Sequence, residues 1–334
     1  MPTVPNELPS LANALPYIDH PLGLLLIFAL ANALMIWRLH VMESKGFEGT
    51  VLGTLIMPYC SGFANLMFAL IMSKSASNGG AVIENSLVNN VTNLTLILGL
   101  TALFGAAAVA SKEKSKQKQA EFARLNRLNL LVTLIALFLF TGTLWALGKD
   151  GELNFYDGLI LVGLFVFWQI LHVFEVLKDN IRKKRSTHWS IIIDLALIGL
   201  AAYGIYYSVD HLINWVTTAE SPLFSLAKIG WFSGLLMVLP NAFIALYYAH
   251  KGRTDIVVSS QIGDGHICIP MCIGLFALSN PIQLPDSFLM GTYLILGAGL
   301  VHLLSIGILG RLPRIGGGAL VAAYGYFMYA GLIQ

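Results

Sequence analysis

Ten stretches of about twenty predominantly apolar residues, each long enough to cross the hydrocarbon core of a bilayer, divide this chain. They run over residues 21–41, 49–73, 81–109, 128–148, 155–177, 188–208, 226–249, 255–279, 287–309 and 316–333. Backbone in lipid must satisfy its own hydrogen bonds, so such runs are either helices or strands of closed barrels. Barrel strands would appear as roughly ten-residue alternating segments, and these runs are longer and apolar throughout. Composition agrees: with 56% hydrophobic and 11% charged residues, the 334-residue chain is too apolar for a soluble domain. The predicted fold class is an all-α polytopic membrane protein with ten transmembrane helices, preceded by an external N-terminal arm at 1–20.

Lysine and arginine collect on the cytoplasmic side of membrane proteins. With ten spans, the loops after the odd-numbered helices share one side and hold seventeen of the twenty Lys and Arg residues; only Lys74, Lys149 and Lys228 lie on the other. One missed helix would scramble that sorting. Both termini are therefore expected outside and the basic loops inside, at a plasma membrane such as the inner membrane of a bacterial cell. The net charge of +2 reflects this topology and not a nucleic-acid surface. The basic stretch SKEKSKQKQAEFARLNR reads as a solvated loop with a helical tail, attraction to anionic lipid being the second reading. The start MPTVPNELPS lacks the basic region and cleavage site of a signal peptide. Cys60, Cys268 and Cys272 all fall within spans, which argues against a disulfide framework. The glycosylation patterns at Asn90 and Asn93 lie at membrane depth and are discarded.

The chain repeats itself. ANLMFAL from Ala64 and PNAFIAL from Pro240 each set an Asn, followed by Ala-Leu four and five residues later, in the second helix of a half. The helices that follow carry VIENSLVNNVTNLTLILGL from Val82 and VVSSQIGDGHICIPMCIGL from Val257, rich in polar and small residues. Polar groups at that depth must face protein or a water-filled cavity. Residues 21–178 and 188–334 thus form two five-helix repeats joined by a basic cytoplasmic linker at 179–187. Five is odd, so the second repeat is inverted relative to the first, as in secondary transporters whose sites lie at the midplane between repeats.

These residues resemble the sodium/calcium exchangers of the cation/calcium exchanger superfamily, whose repeats read G-T-S-L-P-E-L in the second helix and G-N-V-I-G-S-N-I-F-N in the third. GTVLGTLIMPYCSGFANL from Gly49 and SGLLMVLPNA from Ser233 follow the first pattern. SSQIGDGHIC from Ser259 follows the second, and ENSLVNNVTN from Glu84 does so with one inserted residue. YDGLILVGLF and GRLPRIGGGALVAAYGYFMY are similar to the family's fifth and tenth helices, so the likeness spans nearly the whole chain. It implies a midplane cation site, and it marks a departure. The two Glu that supply calcium's main carboxylates in the family are Asn65 and Asn241 here. Two further site positions fall on Asn93 and Cys268, the hydroxyl positions on Ser61 and Met237, and a pair lining the ion path on Asn89 and Asp264.

Calcium takes six to eight oxygens, carboxylates commonly among them, so the loss of two charges argues against calcium itself. A unit charge about 4 Å from an ion is worth roughly 4 kcal/mol at an effective dielectric near 20. Asp264, deep in the eighth helix, is the expected principal charge, with Asn65, Asn241, Asn89, Asn93, Ser61 and Cys268 around it and Asp264, Asn65 and Asn241 as its core ligands. Gly263 and Gly265 beside Asp264 suggest a local break of the helix. Glu84, Asn85 and Ser260 form a possible gate or secondary site, although a first-turn Glu also suits a helix dipole. Gln169, His172 and Glu175 make a polar stripe, read first as packing and second as a proton relay. Asp194 is expected to pair with the basic loop before it, and His302 to be a hydrogen-bonded packing residue. The D-x-H-x-C run at 264–268 lacks the ligand spacing of structural zinc sites.

The function read from this is a secondary active cation antiporter working by alternating access and coupled to Na⁺ or H⁺. Its partners are inorganic cations and the lipid bilayer, and it needs no cofactor beyond the transported ion; the oligomeric state is open. The alternative is a transport-inactive scaffold or ion sensor on the same fold. An enzyme is not expected, since no H-E-x-x-H or G-x-S-x-G occurs.

Overall fold

A computed structural model describes residues 20–44, 57–74, 78–104, 116–183, 191–218, 228–250 and 254–332. Its helices are α1 (Pro21–Ser44), α2 (Met57–Lys74), α3 (Gly79–Val91), α4 (Leu98–Leu103), α5 (Lys116–Leu147), α6 (Phe155–Lys183) and α7 (Ile191–Thr218). The remainder are α8 (Ile229–Met237), α9 (Leu239–His250), α10 (Thr254–Ile267), α11 (Gly274–Ala277), α12 (Ser287–Leu304) and α13 (Arg314–Leu332). Wider π-helical turns, Thr92–Ile97 and Cys268–Ile273, join α3 to α4 and α10 to α11, and a third, Ser305–Leu309, ends α12.

Among the described residues, nine helices are long and apolar enough to span a membrane. Ten were expected. The difference is the second, where the apolar stretch Gly62–Lys74 of α2 is too short by itself and residues 49–56 lie outside the described residues. The seventh span is interrupted at Val238, between α8 and α9. Pro240 has no N–H to continue the helical ladder, and the interruption falls just ahead of Asn241.

The spans divide into a centre and a periphery. In the third and eighth spans 78% of the residues are buried, against 53% or less in any other. Without a hydrophobic drive between helices in lipid, such packing relies on small residues that let backbones approach. Glycines do this reciprocally here. A Cβ on Gly99 (α4) would sit 2.9 Å from the carbonyl oxygen of Gly317 (α13), and one on Gly317 would sit 2.7 Å from that of Gly99. Likewise a Cβ on Gly158 (α6) would lie 2.8 Å from Gly274 O, and one on Gly274 3.2 Å from Gly158 O. In both pairs the end of a central helix from one half meets the fifth helix of the other. The same crossing holds α3 against α8, where a Cβ on Gly234 would be 2.9 Å from Asn85 O, and α2 against α10, where one on Gly62 would be 3.2 Å from Ile267. α1 packs along α7, and α5 against α12.

The two ends of the bundle are held by different contacts. At one end Arg38 pairs with Asp194 at 3.5 Å, the ring of His40 meets that of Tyr247, and Arg127 donates to Gly307 O. Asp194 was expected to pair with the loop preceding it, which lies outside the described residues; Arg38, its partner here, comes from the end of α1. At the other end Asn280 donates to Ser73 O at 2.9 Å and Lys228 to Leu332 O at 3.4 Å. That second end also carries a feature without forewarning in an all-α reading. Strands β1 (Glu152–Leu153) and β2 (Ile282–Gln283) pair antiparallel, Glu152 opposite Gln283 and Leu153 opposite Ile282, with Leu153 and Ile282 fully buried. Gly151, at φ 89°, turns the chain into β1, and its carbonyl accepts from Leu284 N at 3.0 Å.

Replacing Gly158 by Val is expected to lower the thermal midpoint of the purified protein, since the new side chain meets backbone that cannot step aside, an overpacking cost of about 1–3 kcal/mol. Gly163→Ala, where a Cβ would meet nothing within 4 Å, should leave the midpoint unchanged in the same detergent melt.

Candidate cation site

The central helices are shaped by their own polar residues. In the third span, Thr92 and Thr95 turn their hydroxyls back to Val88 O at 2.7 Å and Val91 O at 2.5 Å, while Asn90 donates to Ser86 O at 2.7 Å. Such back-bonding competes with the helical ladder and loosens it, and here it coincides with the π-helical turn. In the eighth span Pro270 withholds an N–H within the corresponding turn. Asn241 precedes Cys268 by the same number of residues as Asn65 precedes Thr92, so each half places an Asn and a widened turn at one spacing. Turns of this kind often mark functional positions. α10 runs unbroken through Gly263 and Gly265, contrary to the expected break. Gly265 serves close approach instead: a Cβ there would lie 2.6 Å from Asn90 Oδ1 and 2.7 Å from Leu137.

At the point where α3 and α10 face each other lies Asp264, fully buried. Its Oδ2 accepts from Asn89 Nδ2, from Asn93 Nδ2 at 3.0 Å and from Cys268 Sγ at 3.5 Å. Asn89 Nδ2 also reaches Cys268 Sγ at 3.3 Å. Residues matched between the halves by the sequence pattern, Asn89 with Asp264 and Asn93 with Cys268, thus meet in one cluster. On the far side a Cβ at Gly62 of α2 would stand 3.5 Å from Asp264 Oδ1. Gly62 therefore leaves one flank of the carboxylate open, and Asn65 follows it by about one turn on the same helix face.

Asn65 and Asn241 are both fully buried, and neither the oxygen nor the nitrogen of either amide has a hydrogen-bond partner. Gln261, one turn before Asp264, donates to Asn241 O at 3.2 Å and to Ser260 Oγ at 3.1 Å, which ties α9 to α10 at this level. The amide oxygens of Asn89 and Asn93 are likewise buried and unpartnered, as are those of Asn85, Asn90 and Gln261. Buried amides nearly always find partners. Orphaned carbonyl oxygens on the helices that meet at a buried carboxylate are donors of the kind that a dehydrated cation needs.

The remaining expected residues divide. Asn85 donates to Ser233 Oγ at 3.0 Å and Met237 Sδ at 3.4 Å, across the α3–α8 contact. Ser260 is buried beside Gln261, whereas Glu84 is half-buried near Trp231, Ser287 and Asp286, toward the end that carries the ribbon. The side chain of Ser61 lies outside the described residues, as does that of Glu175 in the expected polar stripe. His172 stacks edge-on against Trp168 at 4.7 Å; Trp168 and Phe140 in turn flank His266, which bonds Thr133 O at 2.9 Å. His266 faces away from Asp264, and among the described residues no three His, Cys, Asp or Glu side chains converge as a metal cluster. His302 bonds Leu94 O in the first widened turn at 2.8 Å. Cys268 and Cys272 are free thiols. Gln261 and Asn90 escaped the sequence reading, and their one signal was polarity at membrane depth.

The fold is that of a polytopic α-helical membrane protein. It is similar to the sodium-calcium exchanger NCX_Mj soaked with 10 mM Na⁺ and 10 mM Sr²⁺, with a TM-score of 0.66 at 16% identity over 93% of this chain and 98% of that one. The same exchanger soaked with 2.5 mM Na⁺ and 10 mM Sr²⁺ gives 0.66 at 17% over 96% and 99%, and in zero Na⁺ and Ca²⁺ 0.64 at 18% over 94% and 99%. At such identities the likeness concerns fold. A sequence-family profile described as "Sodium/calcium exchanger protein" matches residues 21–174 of the chain. No curated protein matches the chain.

Because each unpartnered buried amide costs roughly 1–3 kcal/mol, Asn65→Leu or Asn241→Leu should leave the ion-free protein as stable as the parent or more so. The same variants should lose any stabilisation by added cation, both read in one set of thermal melts.

Proposed function

We propose that the chain is a secondary active cation antiporter in which two inverted five-helix halves, residues 21–178 and 188–334, alternate access to a site around Asp264. The observation that carries this reading is the burial of unpartnered amide oxygens from Asn65, Asn89, Asn93 and Asn241 on the helices that surround one carboxylate. Amide oxygens replace hydration without adding charge, and the carboxylate supplies the charge. One carboxylate suits a monovalent ion, or a proton exchanging with one, better than bare Ca²⁺, which commonly draws on several. Na⁺ or H⁺ is accordingly the proposed coupling ion.

The reading extends to topology. The basic loops face the cytoplasm of a plasma membrane, by the bias of Lys and Arg, and Glu84 with Asn85 and Ser260 flank the path to the site from outside it. Inverted repeats with polar central helices are the arrangement in which rocking of one half against the other exposes a midplane site to either side.

Flux in proteoliposomes under imposed Na⁺ and pH gradients tests this. Asp264→Asn should cut cation flux about a hundredfold or more, since a unit charge near 4 Å is worth roughly 4 kcal/mol at an effective dielectric near 20. Unchanged flux in that variant would remove the central residue. A scaffold or sensor without transport would show no gradient-driven flux in the parent protein.

A further inference from the structure

A sulfur atom stands in the oxygen site. Cys268 is fully buried, and its Sγ lies 3.5 Å from Asp264 Oδ2 and 3.3 Å from Asn89 Nδ2. A buried cysteine often acts as no more than a small apolar residue, but its neighbours are then apolar, and here they include a carboxylate, an amide and the thiol of Cys272. Two fully buried oxygens without donors, Asn89 Oδ1 and Asn93 Oδ1, belong to the amides that hold the same carboxylate oxygen. Among the described residues no group of three His, Cys, Asp or Glu side chains converges here, and the polar groups that the hydrogen bonds set beside Cys268 and Asp264 include the amides of Asn89 and Asn93.

Thiolate ligands favour soft and borderline cations, whereas carbonyl and carboxylate oxygens alone suit the hard ions of sodium and calcium chemistry. We propose that this site takes a thiophilic divalent cation of the zinc and cadmium class, with Cys268 and Asp264 as its two anionic ligands and the amides of Asn89 and Asn93, turned over so that Oδ1 replaces Nδ2, as neutral ones. The inference rests on the transporter reading for the site's place on an ion path, though not for the ligand chemistry. On binding, the S–H bond of Cys268 breaks, a metal–sulfur bond forms, and the proton passes to water, as metal ligands require. Thiolate and carboxylate together carry the two negative charges that a divalent ion needs, which Asp264 alone does not supply.

Cadmium and calcium carry equal charge and are nearly equal in size, so a difference between them reports softness. In the purified full chain carrying Cys60→Ser and Cys272→Ser, Cd²⁺ should raise the melting midpoint at a concentration at least about tenfold below that required of Ca²⁺, a difference of about 1.4 kcal/mol. Cd²⁺ should also produce the ultraviolet thiolate-to-metal charge-transfer band. Adding Cys268→Ser should abolish the band and bring the two ions level. Should that variant fail to fold, Cys268→Asp, which keeps the charge and hardens the ligand, should invert the preference toward Ca²⁺. A band that survives Cys268→Ser, equal response to both ions in the parent, or a Cys268→Asp chain that still prefers Cd²⁺ overturns the inference. Gradient-driven flux of hard cations with no cadmium preference would sink it and leave the transporter reading standing. Cadmium binding with the band, without flux of any ion, would uphold Cys268 as a ligand and sink the transporter reading.

Discussion

The hydrogen bonds from Asn89 and Asn93 to Asp264 are the interaction on which the rest depends. A carboxylate removed from water loses solvation worth several kcal/mol even after the surroundings relax, and an acidic side chain at membrane depth needs polar surroundings. The amides that supply them come from the other half of the chain. They draw α3 and α10 together across the centre, and the two π-helical turns lie directly beyond. Polar chemistry and helix placement are therefore one feature seen from two sides.

Reciprocal glycine contacts are the counterpart in packing. Gly99 with Gly317 and Gly158 with Gly274 bring backbone to backbone where one half's central helix meets the fifth helix of the other. Close approach of this kind tolerates no side chain, and it leaves the central helices to be lined by Asn, Ser and Thr. A polar interior is affordable only inside such a dry and tightly fitted shell.

Much of this architecture was legible from residues alone. Apolar run length located nine of the spans, because lipid imposes a length. Asn65, Asn241 and Asp264 stood out because polar groups in apolar runs are costly and because they fall on a family pattern. What stayed hidden has physical reasons. Arg38 meets Asp194 through tertiary contact that no local spacing encodes. Gly265 was read as a break, whereas a glycine inside a helix also marks a neighbour's close approach, here Asn90 and Leu137. Pro270 and the back-bonded Thr92 and Thr95 loosen the helices farther along than the glycines do. Gln261 belongs to no motif, so its bridge to Asn241 could be seen only with α9 and α10 side by side.

The paired strands β1 and β2 bear on how such a bundle can move. They stitch the link between the fourth and fifth spans to the link between the eighth and ninth, with Leu153 and Ile282 buried beneath and Gln283 bonded to Glu152 at 2.5 Å. Each link belongs to a different half, and neither can slide past the other without unzipping its backbone pairs. A stitch of two residues on each side is short, but it holds these two corners in common. Relative sliding of these two links would have to break those pairs first.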